Sequence, residues 1–269
     1  MSARILVRGS NDIGSAVAHA LFSAGYAVVI HDLPQPTVTR RKMAFTDAIF
    51  ENCAVLDGIE AHLVKQNYLL LDLLSQHQII PVSIEQFEQV NKTIHPLVVV
   101  DARMHKHHHP ETLRGLAHLT IGLGPNFVAG VTSDLAIETN WGDQLGQIIS
   151  HGATQALQGE PKELGGHARN RYVYATCSGI FQTHFQPGDV VEQSQEIASI
   201  DSTPLYAPLS GLLRGITHDN VPVTIKTKVI EVDPRGTDAQ ISGIHDRPAL
   251  IAWGVLRAIQ SWEQTDHVD

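Results

Sequence analysis

The sequence predicts an α/β protein: a domain with a mostly parallel sheet, then a small all-β domain, then a C-terminal helix. Two observations carry this. Strand-like and helix-like segments alternate through the first hundred residues, and the C-terminal half repeats itself with an offset of 32 residues, as from Tyr174 to Tyr206. At 269 residues, with 43% hydrophobic residues and 21 glycines, the chain can bury a full core and has room for two modest domains.

The alternation begins at once. Arg4 to Arg8 reads as a strand, Ile13 to Ser23 as a helix with one apolar face, and Tyr26 to His31 as a second strand, the start of a βαβ unit. Between strand and helix lies Gly9-Ser10-Asn11-Asp12-Ile13-Gly14, with Asp32 closing the second strand where a ribose-binding acid would stand. Asn11 occupies the place of the middle glycine. Asn11 and Asp12 equally suit a helix cap, and Asp32 suits a turn. Arg40, Arg41 and Lys42 then form a cationic run in an acidic chain, opening a predicted helix through Phe50. Cations at a helix start oppose its dipole, so an anionic partner near Arg40 and Arg41 is one reading and a solvated basic face the other.

Asp57-Gly58 between alternating apolar residues predicts a short hairpin. A leucine-rich helix from Gln66 to Gln76, a strand at Ile79 to Val82, a helix from Ile84 and a buried strand at Leu97 to Asp101 follow. Ligands of such sheets usually sit beyond the carboxyl ends of the strands, where Asp101 and Arg103 fall. Leu119 to Leu123 runs into a loop holding Gly122, Gly124 and Gly130, with Pro125 and Asn126 between them. Its N–H groups would suit an anion cradle, and a tight turn explains the same glycines. The tract His105, Lys106, His107, His108 and His109 has metal-binding chemistry, but no Cys or carboxylate stands at a matching spacing, so it reads as an exposed loop and no metal site is expected.

In the C-terminal half the offset superposes Tyr174-Ala175 on Tyr206-Ala207, Ser178-Gly179 on Ser210-Gly211 and Ile200-Asp201 on Val232-Asp233. Gly188-Asp189-Val190-Val191 and Ala207-Pro208-Leu209-Ser210-Gly211 resemble the barrel-sandwich hybrid of biotinyl and lipoyl domains, without the carrier lysine: the tip reads Asp201-Ser202-Thr203-Pro204. A last helix carries Leu250, Ile251, Val255, Ile259 and Trp262 at helical spacing. The domains expected are an α/β domain over residues 1–150, a linker over 151–171, a β domain over 172–236 and a helix over 245–263 packing back.

A net charge of −9 and pI near 5.9 argue against a broad nucleic-acid face. The N-terminus lacks a signal-peptide core, no segment reaches membrane-spanning length, and Cys53 and Cys177 are too few for a disulfide framework, so a cytoplasmic location is expected.

Over nearly its full length the chain is similar to the YqeB-type family of selenium-dependent molybdenum hydroxylase accessory proteins. The residues that carry the resemblance are Pro36-Thr37-Val38 with Arg40-Arg41 and Ala44-Phe45, Asp101-Ala102-Arg103-Met104, and Gly122-Leu123-Gly124-Pro125-Asn126-Phe127 with Ala129-Gly130. Glu138-Thr139 with Leu145-Gly146, Gly165-Gly166, Ser178-Gly179, Gly188-Asp189 and Asp233-Pro234-Arg235-Gly236 complete the set. The resemblance implies a Rossmann-like domain and a maturation factor of a molybdenum hydroxylase system, but no assigned reaction. An iron–sulfur cysteine set, which a hydroxylase would need, is missing. The chain departs from the family pattern at Trp141, Asp143 and Gln147, where cations and a histidine are usual, and at Asn126, where glycine is.

Together these readings place an anionic small molecule, a nucleotide or molybdopterin-type ligand, among Gly9, Asn11, Asp12, Arg40, Arg41, Arg103, Gly122, Gly124, Pro125, Asn126 and Gly130. Glu138 and Asp101 are the acid–base candidates. Expected partners are a molybdenum hydroxylase or its cofactor-assembly proteins, with a homo-oligomer open and neither nucleic acid nor membrane implied. An NAD(P)-binding oxidoreductase using Gly9, Gly14 and Asp32 and a non-catalytic adaptor docking a molybdenum enzyme are the alternatives.

Overall fold

The computed structural model describes residues 3–104, 109–157 and 161–265. The chain divides into two compact units, one of Met1–Pro34, Ala44–Gln158 and Ile244–Asp269, the other of Gln35–Met43 and Gly159–Gly243. In the first lie strands β1 (Arg4–Arg8), β2 (Ala27–His31), β3 (Cys53–Leu56), β4 (Ile59–Leu63), β5 (Ile80–Ser83), β6 (Val98–Asp101), β7 (Leu119–Leu123), β8 (Val128–Ala129), β9 (Leu135–Ile137), β10 (Ile148–Ile149) and β11 (Gly152–Ala153). Its helices are α1 (Asp12–Ser23), α2 (Asp47–Glu51), α3 (Leu70–Gln76), α4 (Phe87–Ile94) and, at the other end of the chain, α5 (Asp246–Thr265). The second unit holds β12 (Tyr172–Tyr174), β13 (Gly179–Gln182), β14 (Val190–Val191), β15 (Glu196–Ile200), β16 (Thr203–Tyr206), β17 (Gly211–Ile216), β18 (Val221–Val223) and β19 (Lys228–Asp233).

Nine strands of the first unit form one sheet in the order β10-β9-β7-β6-β1-β2-β5-β4-β3. The seven strands from β9 to β4 run parallel, while β3 and β10 run antiparallel at the two edges. From β1 the chain builds toward β2 first and toward β6 later, so two loops diverge at the carboxyl ends of β1 and β6. The near-continuous apolar strands Ile5–Val7, Val28–Ile30 and Val98–Val100 are fully buried, as a sheet covered on both faces requires. Isoleucine and valine side chains of β1 pack on α1 and α5 on one face, and Leu6, Val29 and Val99 pack on α3 and α4 on the other.

The expected architecture is corrected at both levels. The large sheet is mixed, closed at both edges by antiparallel strands, and is not the Rossmann-like sheet anticipated. Asp57 (φ 44°) and Gly58 (φ 85°) turn the chain sharply enough for β3 to pair back on β4. Gly146 (φ 79°) helps return β10 against β9. The second unit consists of two four-stranded antiparallel sheets, β12-β19-β17-β14 and β16-β15-β13-β18, in place of the barrel-sandwich hybrid expected. β14 pairs with β17 and β18 with β13, so each half of the sequence repeat lends a strand to the other. Phe181, Ile197, Ile200, Leu213, Ile216, Val229 and Val232 form their common core.

The predicted helix over residues 40–50 breaks in two, a 3-10 turn at Arg41–Met43 and α2. The stretch 151–171 is ordered in part by β11, a bridge between Leu164 and His167 and a 3-10 turn at Arg169–Arg171. Among the described residues no helix is long and apolar enough to cross a membrane.

Candidate functional site

At the carboxyl ends of β1, β6 and β7 the structure brings Gly9, Asn11, Arg103 and Gly124 into neighbouring loops, beside Asp101 at the end of β6. Gly9 (φ 109°) packs so closely that a Cβ there would lie 3.0 Å from the Ala102 carbonyl oxygen, and the Asn11 side chain donates to that same oxygen at 2.7 Å. The Asn11 side-chain oxygen accepts from the N–H groups of Ile13 and Gly14, at 2.9 and 3.1 Å, and so caps α1. Asp12 is the first residue of that helix. Asp32 accepts from the Ser10 N–H and hydroxyl with one oxygen and from the Leu33 N–H with the other, which engages both of the oxygens a ribose would need.

Charges at this end are balanced. Arg103 grips both oxygens of buried Asp101 and reaches Glu111 at 2.6 Å, and buried Arg8 donates to the same Glu111 oxygen at 2.6 Å. Two guanidinium groups thus meet two carboxylates. The glycine loop is explained by packing. A Cβ on Gly122 would fall 2.1 Å from the Phe127 ring, Gly124 (φ 111°) sits against Met104, and the Thr154 hydroxyl donates to the Gly124 carbonyl at 2.8 Å. Pro125 is buried, Asn126 adopts the left-handed conformation at φ 74°, and the exposed Gly130 turns the chain at φ 82°. Buried Glu138 accepts from the N–H groups of Thr139, Asn140 and Gln155 at 2.7, 2.8 and 2.7 Å, tying two loops together. His105 to His108 lie outside the described residues, and His109 is exposed.

Arg40 and Arg41 belong to the second unit, where charge is not balanced. Gly215 lacks a Cβ, so the Thr39 carbonyl approaches β17 and accepts from the Ile216 N–H at 2.9 Å. This docks the segment 35–43 and carries Arg40 to Glu231, which it grips at 3.0 and 3.1 Å through Nε and a terminal nitrogen. Glu231 lies on β19, fully buried. A bulge in the pairing of β17 with β19 leaves Arg214 as the extra residue, and such irregularities re-aim side chains. Arg214 reaches Glu231 at 2.6 Å, Arg171 does so at 2.6 Å, and Lys228 at 3.2 Å. The Tyr172 ring flanks the cluster, 4.3 Å from the Arg171 guanidinium and 4.8 Å from the Lys228 ammonium. Nearby Asp233 is held by Arg235 at 2.7 Å.

Burial alone would raise the Glu231 carboxyl, yet Arg40, Lys228 and Arg214 hold it well below the usual range. Arg214 is pushed down, first by burial and then by Arg40. Among the described residues, five cations (Arg40, Arg171, Arg214, Lys228 and Arg235) thus share two carboxylates here. Arg171 and Arg214 are nearly buried, whereas Arg40 and Lys228 keep side-chain exposures of 22% and 31%. Four of these residues escaped the sequence reading: Arg171, Arg214, Lys228 and Glu231. The sequence signal at Arg214 and Glu231 is a charge inside an apolar strand pattern; Arg171, in a 3-10 turn, and Lys228, at the start of β19, carry none.

Arg41 is buried in the same unit.

No family model matches the chain. It is a relative of the uncharacterized protein YqeB of Escherichia coli K12, 34% identical over 255 residues and 95% of this chain. It spans about half, 47%, of that protein's length. Among solved structures, a succinylglutamate desuccinylase/aspartoacylase from Rhodobacter sphaeroides aligns with 88% of this chain and 87% of its own at 14% identity and a TM-score of 0.28. An aspartoacylase family protein from Mesorhizobium loti aligns with 86% and 85% at 11% identity and a TM-score of 0.26. The product-bound ectoine utilization protein EutE of Ruegeria pomeroyi covers 86% of this chain and 52% of its own at 11% identity and a TM-score of 0.22. Likenesses this slight carry no assignment.

Proposed function

We propose that this protein binds an anionic small molecule in its second unit, at the cation cluster around Glu231, and serves as an accessory or maturation factor of a molybdenum hydroxylase system. One observation supports the binding reading above the rest: four cationic side chains converge on a single buried carboxylate. Each of them is already engaged, so the argument rests on convergence of charge, not on a vacancy. Guanidinium groups are suited to bidentate recognition of phosphate or carboxylate oxygens, and Tyr172 adds an aromatic face for a planar group beside them. A nucleotide or a molybdopterin-type ligand has both features. The accessory role, with a molybdenum hydroxylase or its cofactor-assembly proteins as partners, rests on the family resemblance of the sequence motifs alone; the relation to the uncharacterized YqeB adds no role.

Calorimetric titration with inorganic pyrophosphate and with AMP tests the site. Arg40→Ala combined with Lys228→Ala, which changes the two more exposed cations, is expected to weaken binding at least about tenfold, the size of one lost charged hydrogen bond. Binding by the double variant equal to that of the wild type, or none by the wild type at millimolar ligand, overturns the reading.

A further inference from the structure

The β3–β4 hairpin carries a second group of chemistry-bearing side chains, in the first unit. Ala54, Leu56 and Ala61 point into the core, so the alternation of the strands turns Cys53, Glu60 and His62 to the outer face. Cys53 and His62 are directly paired across the strands, and Glu60 lies two residues before His62 on the same face. The His62 Nε2 stands 3.5 Å from the Cys53 sulfur and 2.8 Å from a Glu60 oxygen, and the three ligand atoms all lie within 4.8 Å of one another.

We propose that Cys53, Glu60 and His62 form a binding site for a zinc-type divalent cation, with solvent completing the coordination. Thiolate, imidazole and carboxylate are the ligand types that zinc prefers. Zinc–sulfur and zinc–nitrogen bonds of about 2.3 and 2.05 Å at a tetrahedral angle put sulfur and nitrogen about 3.6 Å apart, and the hairpin already holds them at 3.5 Å. The Glu60 oxygen needs to move out by roughly 0.5 Å to reach its tetrahedral distance from nitrogen. That side chain is 54% exposed, and the movement is a rotamer adjustment. One imidazole nitrogen faces both other ligands, so the ion takes the place of the proton shared there, which passes through solvent to Nδ1 of the still neutral ring, and the Cys53 thiol gives up its proton to solvent on binding. With β3 at the edge of the nine-stranded sheet and the His62 side chain 39% exposed, the ion has a path in.

Cobalt(II) reads the site directly. Titrating the reduced, full-length protein is expected to raise a near-ultraviolet thiolate-to-cobalt charge-transfer band that saturates at one ion per chain and is displaced by zinc. Cys53→Ser should abolish the band, His62→Gln should weaken binding, and Cys177→Ser should leave the band unchanged. The band reports thiolate ligation, so metal picked up by the histidines at 105–109 does not mimic it. Zinc should also raise the melting temperature of the wild type and not that of Cys53→Ser. No charge-transfer band in the wild type, or the same band after Cys53→Ser, shows the cluster to be an ion pair and overturns the proposal.

Discussion

Glu231 shows how much a single residue organises. It is fully buried, and four cations face it. Removing its charge leaves those cations without their shared partner, and breaking a buried pair in this way costs about 3–5 kcal/mol. Glu231→Gln is therefore expected to unfold at markedly lower denaturant concentration at neutral pH. The difference depends on pH in a defined direction. Because the folded-state carboxyl lies well below its ordinary value of 4.5, its stabilisation is fully present above that pH and is lost as the pH falls through the depressed value. Urea midpoints at pH 7 and pH 3 check this: the gap between wild type and variant should be wide at the first and narrower at the second. Gly122 makes the opposite case, a residue that matters for what it lacks. Gly122→Ala drives a Cβ into the Phe127 ring and should cost about 1–3 kcal/mol in the same assay, the usual penalty of overpacking. An alanine tolerated there would show that Phe127 can swing away.

Elements in this protein are set by local chemistry that is readable and by pairings that are not. The Asn11 cap of α1 was legible, since Asn before an apolar-periodic run is a helix start signal. Asn11→Ala removes the cap on two N–H groups and the tie to the Ala102 carbonyl, and should lower stability by about 1–2 kcal/mol by thermal unfolding. A negligible change would mean the β1–α1 loop does not depend on its cap. The Asp57-Gly58 hairpin was equally legible, because its two residues tolerate positive φ. What local pattern does not convey is where a hairpin docks, so the antiparallel edge strands and the mixed character of the large sheet came only with the structure. The candidate site divides the same way. Arg40 stands out as part of a cationic run in an acidic chain, whereas Arg171 lies in a 3-10 turn and Arg214, Lys228 and Glu231 are scattered over the strands that follow. A bulge that re-aims Arg214 leaves no mark on the sequence.

At the scale of the whole molecule, both units are discontinuous in sequence. The second is completed by residues 35–43, which supply Arg40, and the first by residues 244–269, which supply α5. The last helix is part of the first core. Ile251, Val255 and Ile259 are fully buried in the same cluster as Ile5, Val17 and Val28, and Tyr26 donates to Glu263 at 2.8 Å. Gly254 brings the helix so near the Gly146 carbonyl that a Cβ would lie 2.3 Å from it. Each large aliphatic side chain buried contributes roughly 1.5–3 kcal/mol. The three named here alone therefore approach the 5–15 kcal/mol that typically separates folded from unfolded domains. Truncation after Gly243 should consequently unfold the first unit rather than trim a tail. Near-ultraviolet circular dichroism should lose the Tyr26 contribution to its tertiary signal, and a dye that binds exposed apolar surface should bind strongly. A truncated chain with wild-type tertiary signal and no dye binding would show that the sheet and α1 retain a packed core without α5.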